Sequence, residues 1–94
     1  MNNEDFEANA KIFKALSDIN RLKIMEILSC EEKCGCEILS QFDFTQPTLS
    51  HHMKVLTDCD LVITRKEGTW NHYKLNCEKV RYFLNFIDGI LSKK

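Results

Sequence analysis

The residues with the most chemistry to offer are five cysteines in 94 positions: Cys30, Cys34, Cys36, Cys59 and Cys77. Cys34-Gly35-Cys36 places two thiols two residues apart. In a regular helix such residues point about 200° apart and cannot share an ion. In an extended or helix-entry segment they converge, and Gly35 lets the backbone bend. Cys36 falls near a helix start, where a thiol pKa drops and the thiolate needed for ligation is favoured. Soft ions suit such a pair. Trivalent arsenic or antimony is satisfied by three sulfurs in a pyramid, whereas cadmium or lead takes three or four.

A second constellation lies further along. Gln46, Thr48, Ser50, His51 and Lys54 fall off an apolar stripe of Leu49, Met53 and Leu56. These are hydrogen-bonding groups long enough to reach base edges and phosphates. No acidic residue occurs from Phe44 to Thr57 in a chain that is 29% charged, which favours a polyanionic partner. Arg65 and Lys66 are expected at the tip of a hairpin, where they would meet a backbone or a minor groove. The formal net charge is only −1, but it is unevenly spread. Residues 1–45 hold five Lys/Arg against nine Asp/Glu, and residues 46–94 hold eight against five. A near-neutral total thus leaves room for one positive face, as phosphate neutralisation requires.

The length implies one small domain over 1–94. A hydrophobic content of 44% is that of a globular chain. No apolar run approaches the roughly 18 residues of a membrane helix, and Met1-Asn2-Asn3-Glu4-Asp5 is acidic, unlike a signal peptide. A cytoplasmic protein with no membrane partner is expected. An odd cysteine count in a reducing compartment points to metal-binding, redox-active or buried thiols rather than disulfides. Cys59 reads as core packing; Cys77, at a helix start, reads as either an inert or a reactive thiol.

With only 3 Gly and 1 Pro, the elements should be mostly helical. Phe6, Ala10, Phe13 and Leu16, widened by Ile12, predict a helix over Glu4–Leu16. Ser17 or Asp18 then caps a second helix with Leu22, Met25 and Leu28 on one face, ending near Cys30. A connection over Glu31–Gly35 leads to a short helix over Cys36–Gln41. Thr45 caps the fourth helix, with Pro47 in its first turn, and that helix runs to about Thr57. Leu61–Thr64 and Thr69–Leu75 read as a hairpin turning at Lys66-Glu67-Gly68. After Asn76, Val80, Phe83, Leu84, Ile87, Ile90 and Leu91 form an apolar stripe. The expected fold is mainly α with a β-hairpin wing: a winged helix-turn-helix of order α-α-α-α-β-β-α. So small a chain buries only about 60–65% of its unfolded surface, so the apolar terminal helices are expected to form the interface of a homodimer. The alternative is that they close the core of one chain.

Three segments in order resemble the ArsR/SmtB family of winged-helix repressors, over about residues 10–75: Phe13-Lys14-Ala15-Leu16-Ser17-Asp18-Ile19-Asn20-Arg21-Leu22-Lys23-Ile24; Thr45-Gln46-Pro47-Thr48-Leu49-Ser50-His51-His52-Met53-Lys54-Val55-Leu56; and Leu61-Val62 with Arg65-Lys66-Glu67-Gly68. The resemblance implies a dimeric repressor that binds double-stranded operator DNA and is released by an inducer, often a metal ion, with no resident cofactor and no catalytic role. Two departures stand out. Cys59-Asp60 replaces the usual Ala-Gly, and Ile19 replaces the Pro that commonly follows the aspartate.

In arsenic-responsive members a Cys-x-Cys pair at the start of the third helix is joined by a cysteine three residues on. Here that position is Leu39, and Cys30 is the nearest substitute. Ion binding would pull Cys34, Cys36 and Cys30 together and tilt the fourth helix. A second family site, for zinc, uses His and carboxylates on the last helix; this helix has no His, and its carboxylates are Glu78 and Asp88. His52 reads as structural and His51 as a DNA contact. The rival functions are a redox- or persulfide-sensing repressor, a cadmium or lead sensor of the same fold, and a thiol-rich metal buffer without a DNA target.

Overall fold

Short polar side chains set most of the helix starts. Asn2 Oδ1 accepts the Asp5 backbone N–H at 3.0 Å while the Asp5 carboxylate accepts that of Asn2 at 3.2 Å, a reciprocal cap. Asp18 Oδ1 accepts the N–H groups of Asn20 (2.8 Å) and Arg21 (3.2 Å), so Asp18 rather than Ser17 is the second cap. Asn76 Oδ1 accepts from Lys79 at 3.3 Å. Thr45 occupies the cap position before the fourth helix without donating its side chain to the role; its hydroxyl lies 3.3 Å from that of Thr48.

The computed structural model describes residues 1–92, leaving Lys93 and Lys94 outside. Its elements are α1 (Asn3–Leu16), α2 (Ile19–Ile27), β1 (Lys33–Cys34), α3 (Gly35–Leu39), α4 (Gln46–Asp58), β2 (Val62–Glu67), β3 (Trp70–Leu75) and α5 (Cys77–Leu91). The architecture is the expected winged helix-turn-helix with three adjustments. α2 stops at Ile27 instead of near Cys30, α3 begins at Gly35, and a two-residue strand, β1, precedes it. β1 pairs antiparallel with β3, placing Lys33 opposite Tyr73 and Cys34 opposite His72, and the sheet order is β1-β3-β2. Two residues of strand carry no readable alternation; only a partner strand makes them one.

The hairpin also turns later than expected. Glu67 pairs with Trp70, leaving Gly68-Thr69 as the loop. Gly68 has φ +64°, a conformation open to glycine without steric cost. Arg65 and Lys66 therefore lie within β2 and not at the tip.

The core joins Ile12 and Ala15 of α1, Ile24 and Leu28 from α2 and its end, Ile38 of α3, Leu49, Met53 and Leu56 of α4, Leu61, Val62 and Tyr73 from the wing, and Phe83 of α5. On α1 the buried face runs through Asn9, Ile12 and Ala15. The Phe6–Phe13 stripe read from the sequence is rotated towards α5, where Phe6 meets Phe86 and Phe13 meets Phe83 edge to face. On α2, Ile24 is buried and Leu22 is exposed. No described helix is long and apolar enough to cross a membrane.

Candidate nucleic-acid interface and thiol site

α4 buries Leu49, His52, Met53 and Leu56 at helical spacing. That choice of face leaves Gln46, Thr48, Ser50, His51 and Lys54 exposed together, as expected. His52 sits on the buried side, where its Nδ1 accepts from Arg21 Nη1 at 3.0 Å. A guanidinium cannot accept a hydrogen bond, so the ring is neutral with its proton on Nε2. Burial pushes the His52 pKa down, and the Arg21 charge adds to this against the opposing pull of Asp18. Arg21 Nε also donates to the Ala15 carbonyl at 2.6 Å, so Arg21 and His52 lock α4 to the α1–α2 corner. On the other flank, the Thr57 and Thr64 hydroxyls lie 3.0 Å apart and tie α4 to the wing.

Not every basic residue of this face is equally free. Lys54 Nζ reaches Asp58 Oδ2 at 3.2 Å on the helix surface. Arg65 donates through Nη2 to Glu32 at 2.8 Å and through Nη1 to Glu67 at 3.1 Å. These carboxylates, Glu32 first, raise the Arg65 pKa still further, and Arg65 lowers that of Glu32. Glu67 also lies 3.3 Å from His72 Nε2. Lys66 is exposed and makes no ion pair among the described residues. Glu67 was findable from period-two alternation along β2; Glu32, 33 residues from Arg65, was not.

The thiols divide. Cys34 is the N-cap of α3, with extended backbone angles (φ −70°, ψ 146°). This turn from strand to helix brings the Cys34 and Cys36 sulfurs to 2.6 Å. Cys34 Sγ accepts the Cys36 N–H at 3.3 Å, and Glu37 Oε1 accepts the Cys34 N–H at 2.8 Å. The Cys36 pKa is raised, chiefly by its hydrogen bond to Cys34 and then by desolvation. That reverses the expected lowering at a helix start, because the hydrogen bond to the neighbouring sulfur and the loss of solvent both favour the neutral thiol. Gly35 lies against the rings of Trp70 and Tyr73.

Cys30 is not brought to this pair. Because α2 ends early, Cys30 falls in the following loop, exposed, with its sulfur 3.9 Å from Ser29 Oγ. It lines a cleft with Glu31, Glu32, Lys74 and Cys77. Among the described residues no group of three His, Cys, Asp or Glu side chains is placed to hold a metal ion. The pair therefore offers two of the three sulfurs a soft pyramidal ion needs and leaves the third open, and the two must part to bind one ion, since sulfurs about 2.3 Å from a shared metal lie roughly 3.4–3.8 Å from each other. Cys59 is buried, donates to the Leu56 carbonyl at 3.4 Å, and has a pKa raised by burial. Cys77 is exposed at the start of α5.

Residues 18–64, which span α2 through the first half of β2, match the family described as bacterial regulatory protein, arsR family. The chain is 52% identical over 79 residues to an arsenical resistance operon repressor of Staphylococcus xylosus, covering 84% of this chain and 76% of that protein. It is 57% identical over 65 residues to the repressor of the same description from Staphylococcus aureus, covering 69% of this chain and 62% of that protein. Among solved structures, a homodimeric winged helix-turn-helix DNA-binding domain from Mycobacterium bovis superposes with a TM-score of 0.74 at 25% identity, over 93% of this chain and 81% of that one. A helix-turn-helix with an exposed polar face on α4, a wing, and these relatives converge: the chain belongs to the arsR family of bacterial regulatory proteins.

Proposed function

We propose that this protein is a metalloid-responsive transcriptional repressor that binds operator DNA as a homodimer and lets go when trivalent arsenic or antimony is held by its thiolates. The observation that carries the reading is the convergence of Cys34 and Cys36 at the strand-to-helix turn that enters the helix-turn-helix. The arsenical resistance repressors among its relatives support the choice of ion. The cytoplasm, which keeps thiols reduced, is the compartment such a site needs.

In DNA binding, Gln46, Thr48, Ser50 and His51 face the bases, while Lys54, Arg65 and Lys66 neutralise phosphates. Two facts support dimerisation. Phe6 (49%), Phe13 (48%) and Leu84 (57%) stay exposed on the terminal helices. The radius of gyration, 14.2 Å, exceeds the roughly 12 Å of a compact chain this long.

In release, Cys34 and Cys36 supply two sulfurs and Cys30 the third. Cys30 reaches them only if the 29–32 loop moves. Glu32 lies in that loop and holds Arg65, and β1 is hydrogen-bonded to β3. Drawing in Cys30 thus shifts the wing as well as the entry to α3. A coupling of about 1–3 kcal/mol weakens operator binding 5–150-fold.

The test is arsenite release of the protein from its own upstream DNA. Cys34→Ser/Cys36→Ser should bind DNA normally and ignore arsenite; continued release in that variant rejects the thiol site. Release by cadmium or lead alone moves the ligand to a soft divalent ion. Release by peroxide or polysulfide and not by arsenite moves it to redox sensing.

A further inference from the structure

The amino-terminal half is acidic, yet its basic residues are not scattered. Lys11 and Lys14 of α1 and Arg21 of α2 line one cleft of about 430 Å³ against His51 and Val55 of α4, with Cys59 also in its wall. Lys11, Lys14 and His51 are exposed to solvent there. Lys14 makes no ion pair among the described residues. Lys11 Nζ donates to the Asp58 carbonyl at 3.3 Å, and Asp58, the lining carboxylate, is held by Lys54. The cleft is therefore net positive. It also has a defined place. Ser50, Lys54 and Thr57 border the groove between α4 and the wing, whereas His51 and Val55 border this cleft, and Asp58 lies between the two. It flanks the reading face on the side away from the wing, beside α1.

We propose that this cleft seats backbone phosphates of duplex DNA, making α1 part of the nucleic-acid interface. The inference rests on the DNA-binding reading above. Charge complementarity selects the occupant: the cleft adjoins the acid-free reading helix, so a duplex lying on α4 brings its phosphates to Lys11 and Lys14. Arg21 is already bound to Ala15 and His52 and contributes field rather than a contact.

The test measures operator affinity against salt from 50 to 200 mM for the intact protein and for Lys11→Gln/Lys14→Gln. Each lost phosphate contact lowers the slope of log K against log salt by about 0.9, so the double variant should lose about 1.8 per protomer. Affinity for operator and scrambled duplex should fall by the same factor, because phosphates carry no sequence information. Lys79→Gln, which removes a charge lying 4.7 Å from the Tyr82 ring centre on α5, should leave the slope unchanged. An unchanged slope in the double variant, or a loss confined to the operator, overturns the proposal. Saturable binding of millimolar inorganic phosphate at the His51 ring, followed by NMR in the DNA-free protein, overturns it when the slope is unchanged, by naming a small anion as occupant in place of DNA. An intact protein that binds no duplex would instead reject the underlying DNA-binding function.

Discussion

At Arg65 two carboxylates compete with any phosphate for one guanidinium. Moving Arg65 onto DNA gives up those pairs, so its net contribution is smaller than that of Lys66, which gives up none. Lys66→Ala should therefore weaken operator binding more than Arg65→Ala, and Glu67→Gln should tighten it; gel shifts at fixed salt check both. His52 supplies a pH dependence of stability. Its folded pKa lies below the ordinary 6.5, so the unfolded chain takes up the proton first. Stability is then full above about pH 6.5 and declines as the pH falls towards the folded value. Denaturant midpoints should drop between pH 7 and 5, and His52→Gln, which keeps an acceptor for Arg21, should flatten that decline.

Among the elements, the end of α4 shows a departure from the family's usual pattern being absorbed. Leu61 N–H bonds to the Leu56 carbonyl (3.1 Å) and Asp60 N–H to that of Thr57 (3.0 Å), a closing motif that requires a left-handed residue. Asp60 supplies it with φ +64°, where the family usually places glycine. Relieving that strain by Asp60→Gly should stabilise the protein by about 1 kcal/mol, a melting rise of about 4–8 °C for a domain of this size. α4 is held by Arg21–His52 on one flank and by Thr57–Thr64 on the other. A displacement at β1 has a route to the reading face through β3 and the wing.

For the whole molecule, extents of 48 × 23 × 22 Å describe a rod-like chain with apolar residues exposed along its terminal helices. Leu84→Glu places a charge on that face without touching the core. Sedimentation should show it as a monomer, and operator binding should collapse, since a two-fold site needs both reading helices. A variant that stays dimeric would move the interface elsewhere.

The local devices were legible in the amino-acid sequence. The helix positions, a cap at Ser17 or Asp18, the acid-free face of α4 and the Cys34–Cys36 pair all act within a few residues, so spacing alone specifies them. What spacing could not specify is every partner chosen across the fold. Strand β1 exists only through β3, and Glu32 finds Arg65 only because that pairing places the loop beside the wing. The early stop of α2 separates Cys30 from the pair it was expected to join. Lys11 and Lys14, part of an acidic half by sequence, line a cleft with α4 only because α1 packs Ile12 and Ala15 into the core and so lays their flank of the helix beside it. Periodicity determines that a face is buried; packing between distant segments decides which neighbours the remaining side chains meet.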